Sequence, residues 1–120
     1  NLHHALMLSR KLLSKEKGGN RQILVVTDGE PTAHLEGDRS FFAYPPSHRT
    51  ELETLKEVRR CTQEDIVINT FMLENNYQLV NFVERMTRIN SGRAFYSSAA
   101  NLGEYLLVDY VTNRRKRVSA

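Results

Sequence analysis

Residues 22–34, QILVVTDGEPTAH, place four consecutive aliphatic side chains, Ile23 to Val26, directly before Thr27, Asp28, Gly29 and Glu30. The run does not alternate between apolar and polar, so as a strand it is apolar on both faces. Such strands belong inside parallel sheets, with helices covering both sides. Parallel neighbours cannot be joined by a tight hairpin and need a longer crossover, usually helical. The rest of the chain must therefore supply helices and strands in alternation.

It does. Leu2, Ala5, Leu6, Ser9, Leu12 and Leu13 recur at helical spacing ahead of the strand, and SKEKGGN closes that helix with lysines and glycines. Further on, Thr50 and Glu53 form a capping-box pattern opening a helix with Leu52, Leu55, Val58 and Thr62 on one side, ending near Cys61. IVINTFML, β-branched and aromatic, reads as a second strand. Asn75 with Gln78 caps a third helix, which carries Leu79, Phe82, Val83 and Met86 inward and halts at Gly92. RAFYS is a third, short strand, and Asn101 with Glu104 opens a last helix with Leu102, Tyr105, Leu106 and Tyr110 inward. The predicted order αβαβαβα gives an α/β fold, a three-layer α/β/α Rossmann-like parallel sheet with about three strands and four helices.

A chain of 120 residues that is 40% hydrophobic and 26% charged is expected to form one folded unit rather than a disordered segment. Its longest aliphatic run, ILVV, is far short of the roughly 20 apolar residues that span a bilayer, so a soluble, cytoplasmic piece with no membrane span is expected. The single cysteine, Cys61, excludes an internal disulfide, fits a reducing compartment and reads as core packing. The net charge of +3 owes its sign to Arg114, Arg115, Lys116 and Arg117, in a basic tail at 114–120 that reads as a solvated helix end. No aromatics or glycines interleave with those charges, so nucleic acid is not an expected partner. The chain opens at Asn1 inside a helical pattern without signal-peptide architecture, and reads as a piece of something longer.

Loops at the carboxyl ends of parallel strands form the binding edge of such a fold, which puts TDGEPT there. Asp-Gly also opens hairpins, but EPTAHLEGD, with Pro31, offers no alternating second strand, so a strand-to-helix loop fits better. Two readings of Asp28 stay open. It can cap its own loop. Alternatively, with the threonine hydroxyls it can offer hard oxygens to Mg²⁺, Mn²⁺ or Ca²⁺, Gly29 letting the backbone turn beside the ion. One aspartate is too few for an octahedral cation, and further ligands must come from elsewhere. His3 and His4 are adjacent on a helix, and His34 and His48 show no recognised ligand spacing, so no zinc site is assigned. The connection from Glu30 to Arg49 is long for a loop. Within it SFFAY reads as a short strand whose Phe41, Phe42 and Tyr44 either meet a protein partner or cover the sheet edge.

A hydrophobic strand ending in VVTDGEPT, preceded by NLHHAL on a helix and followed by alternating elements, resembles the von Willebrand factor A (VWA) domain and its metal-ion-dependent adhesion site, or MIDAS. In that family a first strand ends in an Asp-x-Ser-x-Ser loop, a later loop gives a threonine just before a helix beginning like NLHHAL, and the next strand ends in an aspartate, which Asp28 matches. The family's threonine would fall one position before Asn1 and the Asp-x-Ser-x-Ser loop further upstream. Asp38-Arg39-Ser40 is not assigned that role, since it follows no strand and runs into Phe41 and Phe42. The resemblance therefore covers residues 1–120 as the C-terminal part of a single VWA-like domain, the second half of a six-stranded sheet ordered 3-2-1-4-5-6. NRQILVVTDGEPTAH is nearer to intracellular bacterial VWA proteins, including magnesium-chelatase-like subunits and partners of MoxR-type AAA+ ATPases, than to integrin inserted domains.

The resemblance implies binding rather than turnover. A divalent ion, Mg²⁺ or else Mn²⁺ or Ca²⁺, keeps an open position that a partner's Glu or Asp fills. Asp28 acts on it through a water, with Thr27 and Glu30 as neighbours tuning hydrogen bonds. This piece alone is expected to bind the ion weakly or not at all, and its open sheet edge to favour self-association. The enzyme alternative is a Mg-dependent phosphotransferase of the haloacid dehalogenase type using Asp28. Val26 stands where that chemistry needs its nucleophile, and no lysine-bearing second motif is evident.

Overall fold

The computed structural model describes residues 1–16 and 19–97. In chain order the elements are α1 (Leu2–Leu13), β1 (Gln22–Thr27), β2 (Ala33–Glu36), β3 (Arg39–Phe42), α2 (His48–Gln63), β4 (Val67–Met72), α3 (Tyr77–Ile89) and β5 (Ala94–Tyr96). β1, β4 and β5 form a parallel sheet in that order, with Gln22 opposite Val67 and Thr27 opposite Met72, and Thr70 opposite Ala94. The α/β alternation is as the sequence predicts. The expected last helix and the basic tail lie outside the described residues.

The long connection is not a bare loop with one strand. β2 and β3 form an antiparallel hairpin, Ala33 opposite Phe42 and Glu36 opposite Arg39, and Ala43 N–H extends the ladder to the Thr32 carbonyl at 3.0 Å. Its two-residue turn puts Gly37 first, at φ 61°, a left-handed angle that a hairpin of this hand needs and glycine supplies without a Cβ penalty.

Two helix starts differ from the predicted caps. α2 is capped by Ser47, whose Oγ accepts the Thr50 N–H at 3.1 Å, and Thr50 is buried inside the first turn rather than standing ahead of it. α3 is capped by Asn76, not Asn75, through the Leu79 N–H at 2.8 Å. In both cases the capping residue is the one whose backbone is still extended, at ψ 150° for Ser47 and 151° for Asn76.

One core joins the three helices to one face of the sheet: Leu6 of α1, Leu55, Val58 and Cys61 of α2, Leu79, Phe82, Val83 and Met86 of α3, and Val25, Ile68 and Met72 beneath them. The α3 stripe is buried as predicted. The other two are not wholly so, since Leu12 and Leu52 are exposed while His3 and Glu57 are buried. Burial pushes the Cys61 thiol up to about 11, with Glu57 adding to the rise, so this cysteine packs rather than reacts. Beneath the helices the α2 carboxylate Glu57 is met by Arg10 of α1 at 3.0 Å and by Arg60 at 2.9 Å. At the far end of α3 the buried Asn90 accepts from the Ile68 and Gly92 N–H groups, both at 2.9 Å, and donates to the Ile66 carbonyl and the Thr62 hydroxyl.

β1 lies at an open edge of the sheet, as expected. Among the described residues it has a strand partner on one side only, and Leu24 and Val26 remain 39% and 43% exposed. Beside its open edge runs a groove of about 370 Å³ whose other wall is Leu2, Ala5 and Ser9 of α1. A strand edge with apolar side chains at its margin recruits another strand. The 120-residue chain is expected to sediment as a concentration-dependent oligomer and to shift toward monomer in Leu24→Lys. A stable monomer at all concentrations would show that the edge is otherwise covered.

Candidate functional site

β1 carries the chain to the carboxyl edge of the sheet, where the ladder anchors the loop that begins at Asp28. The Leu73 N–H donates to the Thr27 carbonyl at 2.9 Å, tying the end of β1 to the residue after β4. The turn is then closed by Thr27 itself. Its hydroxyl donates to the Gly29 carbonyl at 2.7 Å and accepts the Gly29 N–H at 3.3 Å. This settles which residue caps the loop, because a threonine that bonds the backbone two residues on replaces what an aspartate would do. Asp28 is left exposed, with no hydrogen bond or ion pair among the described residues.

Asp28 borders a cleft of about 380 Å³. Gly29, Glu30 and Thr32 continue that wall, Tyr44, Pro45 and Pro46 form the second, and Asn76 and Gln78 from the start of α3 close it. The structure therefore brings together Asp28, Glu30 and Tyr44 of the residues singled out in the sequence. Thr27 lines the groove on the α1 side instead. Phe41 turns away from the cleft and stacks on the His34 ring, centroids 5.5 Å apart and planes within 14° of parallel. Phe42 and Tyr44 are 72% and 83% exposed. Pro45, Pro46, Asn76 and Gln78 escape sequence reasoning. Nothing local says that two distant turns face one aspartate.

As a cation site the described residues fit in kind and fall short in number. Asp28 and Glu30 offer the hard carboxylate oxygens that Mg²⁺ prefers, while the Thr27 hydroxyl is engaged with the Gly29 backbone as both donor and acceptor. No grouping of three or more His, Cys, Asp or Glu that could hold a metal exists among the described residues. No helix among them is long and apolar enough to cross a membrane.

Over residues 1–111 the chain matches the family described as "Rv0959-like protein, vWA domain". It is 36% identical over 121 residues to the "Uncharacterized protein Rv0959" of Mycobacterium tuberculosis (strain ATCC 25618 / H37Rv) and to the "Uncharacterized protein Mb0984" of Mycobacterium bovis. The match covers 97% of this chain and 18% of each relative, so the chain spans less than a fifth of the length of these curated relatives. No solved structure matches it.

Proposed function

Because the chain belongs to the vWA domain family of Rv0959-like proteins, we propose that it is part of a metal-ion-dependent protein-interaction module, with Asp28 as one contributor to a divalent cation site. The ion, Mg²⁺ in the first instance and Mn²⁺ or Ca²⁺ otherwise, would bridge to a Glu or Asp of a protein partner. The observation that carries this reading is the state of Asp28. It stands at the carboxyl end of a parallel strand, exposed and unengaged among the described residues, while Thr27 takes over the capping work that would otherwise explain an acid there. A carboxylate held at a binding edge with no partner among the described residues is free to take a cation.

In this reading Glu30 lies next to the site and Thr27 shapes its loop, and the remaining oxygens come from parts of the longer protein outside this chain. Tyr44, with Phe42 beyond it, gives the partner an apolar contact flanking the ion. A partner of the AAA+ ATPase class, MoxR or chelatase-like and cytoplasmic, is the proposal the bacterial family likeness favours. We read the module as a binder rather than an enzyme.

Calorimetry on the isolated 120-residue chain is expected to give no Mg²⁺ binding tighter than millimolar, while the full-length protein binds one ion and loses it in Asp28→Asn. Sub-millimolar one-site binding by the isolated chain would count against a shared site. Turnover of a generic phosphoester that disappears in Asp28→Asn would replace the binding reading with phosphotransfer.

A further inference from the structure

Two buried histidines fasten the β2–β3 hairpin to the helices. His3, on α1, accepts the Leu35 backbone N–H at its Nδ1, 3.1 Å away, so its neutral ring carries the proton on Nε2. His34, on β2, has Nδ1 2.8 Å from the Thr50 hydroxyl of α2 and Nε2 2.9 Å from Glu36 Oε1. The two rings meet edge to face, their centroids 6.1 Å apart.

They answer a proton differently. His34 faces a hydroxyl and a carboxylate. The hydroxyl can accept as readily as it donates, and Ser47 Oγ, 2.9 Å from Thr50 Oγ1, takes up the reversal, so both bonds of His34 survive a change of charge. His3 has no such freedom. A proton on its Nδ1 sets two N–H donors against each other, and the bond from Leu35 has to break.

We propose that His3 is an acid-released latch: protonation of its Nδ1 frees the β2–β3 hairpin from α1, loosening the segment that leads through Phe42 to Tyr44 at the Asp28 cleft. The latch itself stands on hydrogen-bond geometry, and only its consequence for partner binding rests on the metal-site reading.

Among the described residues the charged groups around it are few, and burial sets the sign. Glu57, Glu53 and Arg60 face His3 from α2, and His34 faces it from β2, with His4 next to it on α1. Burial is the largest influence and holds the His3 imidazole below its ordinary value; Glu57 and Glu53 oppose this, and His34 and Arg60 reinforce it. Around His34 stand Glu36, which Arg49 of α2 also engages, and Glu53. With the hairpin closed burial disfavours the charged ring, and opening relieves that burial toward the ordinary imidazole value of about 6.5. Closure is therefore fully favoured above about pH 6.5 and is progressively lost as pH falls below it toward the lowered value of the closed state.

Amide hydrogen exchange on the full-length protein, expressed as protection factors at pH 7.5 and below, reads the latch without metal or partner. Protection at Leu35 should fall by up to about tenfold per pH unit below about 6.5, while Ile68 in the sheet holds its protection. His3→Asn keeps an acceptor oxygen near the Nδ1 position and cannot titrate, so it should hold Leu35 at both extremes. His3→Leu should lose Leu35 protection at both. In the wild-type protein the midpoint of hairpin opening should track the His3 ring resonances. Equal Leu35 protection across the range, a fall that persists in His3→Asn, a matching fall at Ile68, or a midpoint that tracks His34 would each overturn the latch. None of these outcomes touches Mg²⁺ binding at Asp28, which calorimetry decides separately.

Discussion

Gly92→Ala should abolish cooperative folding rather than merely weaken it. A Cβ at this position would lie 1.7 Å from the Ile68 carbonyl oxygen and 2.6 Å from its carbon. Both are backbone atoms of the middle strand, so no side-chain rotation relieves the clash. Nor can the strand step aside easily, because Ile68 pairs with Ile23 on β1 and its own N–H is held by Asn90. The same asparagine would sit 3.0 Å from the new methyl group. The expected cost exceeds about 4 kcal/mol, in the range reserved for gross core disruption and comparable with the whole stability of a small domain. Gly29→Ala is the matched control. No atom of the described residues lies within 4 Å of its added Cβ and its φ is not left-handed, so stability should stay within about 0.5 kcal/mol. Thermal melts followed by circular dichroism on the two variants check this, and a cooperative Gly92→Ala transition close to wild type would mean that the turn into β5 does not pack against β4 as described.

Arg10→Met should cost about 3–5 kcal/mol, more than the reverse change at its partner. Glu57 is 0% exposed, and Arg10 holds its Oε1 through both Nε and Nη2, at 3.2 and 3.0 Å. Without Arg10 that carboxylate is left in the core with Arg60, itself half exposed, as its only cation among the described residues. Glu57→Gln strands less, because the Arg10 guanidinium keeps Glu64 at 2.9 Å and part of its surface already reaches water. The double change Arg10→Met with Glu57→Leu removes both partners of the pair and should recover most of the loss, since a well-packed apolar pair often matches a buried ion pair. Urea unfolding of the three variants gives the comparison. Equal costs for the two single changes would show that Glu57 is not the stranded partner.

The parts of this fold that the chain announces are those decided by neighbours in sequence. Leu79, Phe82, Val83 and Met86 repeat along one helix and are all buried, because nothing outside the helix is needed to place them on one face. The end of β1 at Asp28 is likewise local. The hidden parts depend on distant groups. Nothing near Glu57 says that Arg10, 47 positions away, will meet it in the core. The hairpin reads as loop because the residue that Ala33–Glu36 buries is the polar His34, and it is held by His3 and Thr50 from two different helices. The candidate site divides in the same way: its aspartate is legible, while the Tyr44 wall and the Asn76 corner arrive from turns that only the folded chain brings together.

The hairpin's manner of attachment has a practical side. It is fixed through β2, whose side chains reach α1 and α2, whereas β3, apart from Phe41 stacked on His34, and the Gly37–Asp38 turn are exposed and pair with no strand of the parallel sheet among the described residues. A peptide tag or fluorophore-bearing segment spliced between Gly37 and Asp38 therefore lengthens an exposed turn without touching a buried contact. That turn is a handle by which the hairpin can be watched or immobilised while the sheet behind it stays as it is.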